Sequence, residues 1–381
     1  MELKKIKDLM VLGGGDIFGS SLSAIFWFYL ASQIEPENFG EIHWFLGLAG
    51  IFSSLALFGT LNTVTVYAAK KIPLQSTLYV ISLIASAILS LVVILLFPSF
   101  FTIDIGLILI AYVINTLAIG DILGRKQYSS YSKYILTQKG LTLGLGLLFF
   151  YVFGYEGIIF ALALSYIFFL KRIVSVFREI KIDLKLFKTK IRFITNNYVM
   201  FVITGAVGSG QVDKIIVAPL LGFTMLGNYN LALQAINIMM ITSSISYKYL
   251  LPQDATNQNN KKLKLIVIII SIGVASCGVF VGPYFIDTFF DKYIDAKEAI
   301  QIMSMAIIPG TIALILQSEF LGKENSRVIL IGNCISTGIL AVSMIGLGLN
   351  FGIIGLAVSL ILANTSKMIV FSIFKMVRRF N

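Results

Sequence analysis

The sequence predicts an all-α, polytopic membrane protein with about twelve transmembrane helices in two six-helix bundles related by a pseudo-two-fold repeat. Three observations carry this reading. The 381 residues are 57% hydrophobic and 13% charged, with a mean hydropathy of +0.89. A soluble domain has roughly 45–50% apolar and about 25% charged residues. The apolar residues run continuously over lengths near the ~20 that a spanning helix needs, rather than alternating over the ~10 of a membrane strand. The basic residues crowd every second connecting segment. So little charge cannot cover a water-facing surface, which excludes a soluble enzyme, a secreted disulfide scaffold and a disordered tail.

Breaks at charges, prolines and Gly/Asn clusters place the first six spans near 9–31, 42–69, 74–97, 104–124, 133–153 and 154–174. The second six fall near 193–220, 224–251, 264–288, 296–321, 326–349 and 353–375. The first span follows Lys4, Lys5 and Lys7 as a secretory signal core would. Its apolar run is longer than the roughly 7–15 residues of such a core, so it reads as an uncleaved span. The chain divides into an N-terminal bundle (1–174), a basic cytoplasmic linker (175–192) and a C-terminal bundle (193–381). In the linker Phe177, Ile180, Leu184, Phe187 and Ile191 recur at helical spacing. Lys181, Lys185, Lys188 and Lys190 lie largely elsewhere on the wheel, so a helix over 176–191 would rest on the membrane surface. Hinges are expected at Pro309-Gly310 in the tenth span and at Gly205, Gly208 and Gly210 in the seventh.

Charge sets the orientation. With an even number of spans both chain ends share a side, and 25 of the 30 basic residues fall in the segments on that side. The opposite segments hold only Lys292 and Lys297 among acids such as Glu35, Glu37, Asp104, Glu156 and Asp291. By the positive-inside rule both termini are cytoplasmic and the protein sits in the cell membrane. The net charge of +11 then reads as orientation, with no nucleic-acid partner.

The two halves echo each other. Phe39-Gly40 opens the second span as Leu226-Gly227 opens the eighth, an offset of 187. Gly157-Ile158-Ile159 matches Gly352-Ile353-Ile354 at an offset of 195. Both echoes run in the same direction, as in parallel repeats. Apparent catalytic motifs dissolve in this context. Gly13-Gly14-Gly15 with Gly19 lies inside a span with no preceding strand, so it is no phosphate loop. Gly15 to Gly19 and Gly140 to Gly144 read as close-packing sites between helices. A lone His43 with Cys277 and Cys334 cannot make a metal site.

Charges at membrane depth usually face a cavity or a partner. They are Asp16 in the first span, Lys139 in the fifth, Asp213 and Lys214 in the seventh, Glu319 in the tenth and Lys367 in the twelfth. Asn62, Asn197, Gln211 and Gln317 accompany them, whereas Asp121 reads as solvated at a span end. Asp213-Lys214 lies too deep for a lysine to reach the cytoplasmic side, which points to a hydrated cavity between the bundles. Polar bundles with hinged helices describe an alternating-access transporter.

Pro36-Glu37-Asn38-Phe39-Gly40, Leu57-Phe58-Gly59, Asp213-Lys214 with Leu220-Leu221-Gly222 and Leu226-Gly227-Asn228-Tyr229, Leu251-Pro252, and Phe351 to Ala357 resemble the polysaccharide-type flippases. These belong to the multidrug, oligosaccharidyl-lipid and polysaccharide exporter superfamily. The resemblance implies transfer of a polyprenyl-linked oligosaccharide from the cytoplasmic to the outer leaflet, with no enzymatic activity and no bound cofactor. Coupling to a proton or sodium gradient stays open. The implied partners are the lipid-linked oligosaccharide, membrane lipids and other proteins of polysaccharide assembly. Basic cavity residues would hold the lipid pyrophosphate, Lys214 receiving it after Lys139 and Lys367. The first span departs from the pattern in carrying Asp16 and no arginine. Two other readings remain: a cation-coupled drug or metabolite exporter of the same superfamily, and a membrane-embedded glycan polymerase or ligase.

Overall fold

A computed structural model describes residues 2–57, 59–96, 102–207, 212–256, 258 and 260–380. Among these residues the chain is helical throughout, with no strand. Lipid offers the backbone no hydrogen bonds, so each spanning segment must satisfy its own. The first lobe comprises α1 (Glu2–Gln33), α2 (Pro36–Leu57), α3 (Thr60–Ala69), α4 (Gln75–Leu96), α5 (Thr102–Gly124), α6 (Tyr128–Phe153), α7 (Ile158–Ser165) and α8 (Leu170–Glu179). The second comprises α9 (Leu184–Val207), α10 (Val212–Met239), α11 (Ile241–Asp254), α12 (Lys261–Phe289), α13 (Ala296–Met303), α14 (Ile307–Gly322) and α15 (Ser326–Phe380).

Nine helical segments of the described residues are long and apolar enough to cross a membrane, and two of them, Tyr128–Glu179 and Ser326–Val377, run 52 residues. Each of the two is a hairpin. In α15 the helix breaks at Gly352 (φ 55), beyond which Gly355 lies against the Leu347 carbonyl. Further from the turn, Ser336 donates to the Ala363 carbonyl at 2.8 Å. The first lobe turns at Gly154 (φ 70), and Gln138 and Thr142 of α6 meet Ser165 of α7 at 3.2 and 3.0 Å. Glycine suits both turns because a side chain rarely adopts a positive φ. These are the hairpins that the second echo marks, although in the first lobe the left-handed residue stands three places before Gly157.

Several spans are broken where the sequence reads as continuous. The second span divides at Gly59 into α2 and α3, and Gly59 packs on Asn197 of the other lobe. The sixth passes through a 3₁₀ turn at Ile167–Phe169. The tenth does so at Ser304–Ala306, placing Pro309 in the first turn of α14, where its missing N–H costs little. No single surface helix covers 176–191. Ile180 is extended (φ −125, ψ 126), and Asp183 restarts the helix by accepting the Leu186 N–H at 2.9 Å. Of the expected packing glycines, Gly15 and Gly19 do press on Ser132 and Ile135 of α6. Gly140 and Gly144 face open space, and Gly146, against Phe26, takes their place. Gly208, Gly210 and Gln211 lie outside the described residues.

The lobes meet at both ends. At the end of the acidic loops, buried Phe26, Leu30 and Phe39 pack in one apolar cluster with Leu226, Tyr229 and Tyr293. At the end carrying both termini, Tyr67, Tyr128 and Tyr131 share another with Tyr249, Phe320 and Phe371. The first echo lies on the symmetry element itself. A Cβ on Gly40 would stand 2.1 Å from the Phe223 carbonyl oxygen, and one on Gly227 would stand 2.0 Å from that of Pro36. Each glycine faces the residue four before its counterpart, the reciprocity of a contact across a two-fold axis.

Candidate functional site

The divide between the lobes holds two polar clusters. The one nearer the termini is built by close helix approach. Gly15 lets α6 close on α1, which sets Tyr131 beside Asp16, and Gly13 admits Ile245 of α11. Asp16, only 5% exposed, accepts the Tyr131 hydroxyl at 2.6 Å and Lys248 Nζ at 2.9 Å on both oxygens. Lys248 also donates to the Tyr131 oxygen at 2.7 Å. Lys139 packs along Gly19, within the field of Asp16 and Lys248. The ion pair therefore joins the first lobe to the second, with a second lysine alongside. Around it, Tyr247 of α11 donates to Asn62 at 3.1 Å and Lys126 to Thr256 at 3.0 Å. Lys70 pairs with Glu324, and Asn197 donates to Thr63 at 2.8 Å.

The second cluster sits toward the acidic loops. Asp213, 1% exposed, accepts the Lys214 backbone N–H at 2.7 Å and the Tyr229 hydroxyl at 3.1 Å. Its orientation is thus fixed within its own lobe, in α10, whose two pieces meet at Gly222. Lys214 lies in electrostatic range of His43 from the facing α2. His43 is buried against the rings of Trp27 and Phe39, with centroids at 4.7 and 4.6 Å. Its Nε2 and the Nε1 of Trp44 have no hydrogen-bond partner among the described residues. A buried polar atom left in this way is open to a water or a ligand.

The six intramembrane charges read from the sequence therefore separate. Asp16 and Lys139 share one cluster, and Asp213 and Lys214 share the other. Glu319 lies away from the divide, between Lys264 at 3.0 Å and Lys375 at 2.8 Å. Lys367 rests over the Phe371 ring, 5.9 Å from its centroid. Asp121 is not solvated. It is fully buried and clamped by Arg125 at 2.8 Å and Arg172 at 2.5 Å, which close the face of the first lobe. Sequence reasoning missed Lys248, counted with the loop charges, and His43, set aside because one histidine cannot hold a metal. Among the described residues no three His, Cys, Asp or Glu side chains group as metal ligands. Lys248 has a signal in retrospect: it stands between Tyr247 and Tyr249, one turn before Pro252, inside a helix whose other charge is its last residue, Asp254.

No protein-family model and no curated protein matches the sequence. Solved structures do match over nearly the whole chain. One is the outward-facing conformation of a multidrug resistance MATE family transporter of the MOP superfamily, with a TM-score of 0.71 at 15% identity over 98% of this chain and 96% of that one. Another is a MOP superfamily transporter from Pyrococcus furiosus, described by the reversed polarity of its binding pocket and a different function inferred from it. It matches with a TM-score of 0.67, 15% identity and the same coverage. A MATE transporter in its bent conformation aligns with a TM-score of 0.65 at 15% identity over 98% of this chain and 95% of its own. The chain has the two-lobe fold of these transporters.

Proposed function

We propose that the protein is an alternating-access flippase carrying a polyprenyl-linked oligosaccharide from the cytoplasmic to the outer leaflet of the cell membrane, with both termini cytoplasmic. The observation that supports it best is the sign of the charge in the divide. Lys139, Lys248 and Lys214 face two carboxylates, Asp16 and Asp213. An ammonium excess in a water-poor cleft stabilises a lipid pyrophosphate and repels a cationic drug, because charge interactions strengthen where water is sparse. The lysines stand at two depths, so the anion has a partner on each side of the midplane. When the lobes part at the termini end, the Asp16–Lys248 pair opens and Lys248 turns from carboxylate to substrate. When they part at the other end, Lys214, His43 and Trp44 are uncovered. Proton or sodium coupling belongs to this proposal, with Asp16 and Asp213 as the carboxylates available to it.

A second reading, export of drugs or small metabolites, draws support from the multidrug transporter among the structural neighbours. One assay separates the two. Protein reconstituted in vesicles receives a labelled polyprenyl-pyrophosphate glycan, and a membrane-impermeant lectin or hydrolase reports its leaflet. Protein-dependent movement between leaflets, lost in Lys214→Met, is expected. Export of cationic dyes by the same vesicles without glycan movement would replace this reading with the second.

A further inference from the structure

Outside the lobe divide, the second lobe carries a crevice of about 610 Å³ at the termini end. The ends of α11 and α14 and the last turns of α15 surround the start of α12 there. Four lysines line it, Lys261, Lys264, Lys323 and Lys375, against two carboxylates, Asp254 and Glu319. Its inner wall is apolar, from Ile268, Ile312 and Leu316. We propose that this crevice binds the phosphate of an anionic phospholipid from the leaflet at the termini face, at a site separate from the transport path.

The arrangement selects an anion over a cation. Lys264 occupies the space between the carboxylates, 3.1 Å from Asp254 and 3.0 Å from Glu319, and Lys375 takes the other Glu319 oxygen at 2.8 Å. Both acids are committed to ammonium groups, and the set keeps two positive charges in excess. A second observation agrees. The Nδ2 of Asn260, which lines the crevice at the N-cap of α12, is buried without a partner among the described residues. As a donor it suits an anionic oxygen, beside a helix N-terminus that also favours anions.

The walls identify the anion's source. Leu265 lines the crevice and is exposed, and Ile269, one turn on, is exposed on the same face of α12. Across the opening, Ser372 and Lys375 line it from α15, and Ile369 and Met376 on that face are exposed. The crevice thus opens sideways between two apolar ridges, which suits acyl chains running into the bilayer below a head group held by lysines. A soluble phosphate would have no use for those ridges. The site does not depend on which substrate the lobes carry. The choice of leaflet in cells does rest on the orientation proposed above, whereas binding in detergent does not.

The test uses the full chain in a neutral detergent, with binding read by native mass spectrometry and by the melting temperature. Phosphatidylglycerol is expected to bind and raise the melting temperature, and phosphatidylcholine and inorganic phosphate at equal concentration are expected to leave it unchanged. Lys261→Gln/Lys323→Gln, which keeps Lys264 between its two acids, should weaken phosphatidylglycerol binding roughly thirtyfold. Lys185→Gln/Lys188→Gln, in the first turns of α9 and outside the crevice lining, should leave it intact. Equal loss in both double variants would reduce the effect to general surface charge and overturn the site. A shift produced by inorganic phosphate alone would overturn the lipid as its source.

Discussion

At the scale of single residues, Asp16 and Lys248 form a buried ion pair whose members belong to different lobes. Removing one partner leaves the other charged in a poorly solvated place, and Lys248, part-exposed, limits that cost to about 1–3 kcal/mol. Asp16→Asn should therefore lower the melting temperature, and adding Lys248→Met should recover part of the loss. Additive losses in the double variant would show that the pair is not coupled. Lys214 carries a different expectation. Its neighbour Asp213 is already satisfied by Tyr229 and a backbone N–H. Lys214→Met should leave folding and membrane insertion largely intact while severely reducing substrate movement, and Lys214→Arg should keep part of it. A well-expressed Lys214→Met protein transporting at the normal rate would remove this lysine from the mechanism.

At the scale of elements, the reciprocal approach of α2 and α10 leaves no room for a side chain. Gly227→Val must push the Pro36 carbonyl away, at a cost of about 1–3 kcal/mol, and loosen the acidic-loop end. Cysteines placed at Glu35 and Lys292, whose side chains pair at 2.8 Å, should be bridged readily by a bifunctional thiol reagent in the parent and more slowly in that variant. Unchanged cross-linking would mean that the glycine contact does not hold this end shut. The spans themselves were legible, since lipid demands long apolar runs and the chain supplies them. The breaks at Gly59, Ile167–Phe169 and Ser304–Ala306 were not, because tertiary packing decides them and hydropathy does not register a lost turn. The linker misled for a related reason. Its periodicity is helical, but Ser76 accepts no helix there: its hydroxyl donates to the Ile180 carbonyl at 2.7 Å, helping to hold the chain extended.

At the scale of the whole molecule, two short echoes foretold the two-lobe plan, and the Gly40–Gly227 contact lies where the first echo pointed. The candidate site was legible only in part. Asp16, Lys139, Asp213 and Lys214 announced themselves as charges in apolar runs. Lys248 did not, because it lies one turn from a basic loop, and only the packing of α11 on α1 draws it inward. Orientation can be tested in intact cells after Cys277 and Cys334 are replaced by serine. An impermeant thiol reagent should label a cysteine at Asp291 and spare one at Ile182 or Gln258. Labelling at Ile182 would reverse the proposed topology. Bridging Glu35→Cys to Lys292→Cys with the bifunctional reagent should halt transport while leaving binding from the termini side intact, and full transport by the locked protein would reject rocking lobes.

The two ends of the divide are closed by different balances of apolar and ionic contact. Beside the acidic loops the seal is mostly rings and backbone, Phe28 on Phe285 and Phe290 and Phe39 on Tyr293, plus the exposed Glu35–Lys292 pair. At the termini Tyr128 on Tyr249 adds rings to the seal, but ion pairs carry more of it: Asp16 on Lys248 and the part-exposed Lys70–Glu324 pair. Opening either end wets its surfaces, so cooling weakens the first seal more, as apolar burial fades, and ionic strength weakens the second more, since the exposed Glu35–Lys292 pair contributes little at any salt. Temperature and salt thus act as opposing handles on one equilibrium. Cold favours the state open beside the acidic loops, and brine favours the state open at the termini. Distances between spin labels across each end, followed from 5 to 40 °C and from 0.05 to 1 M salt, should diverge in those two directions.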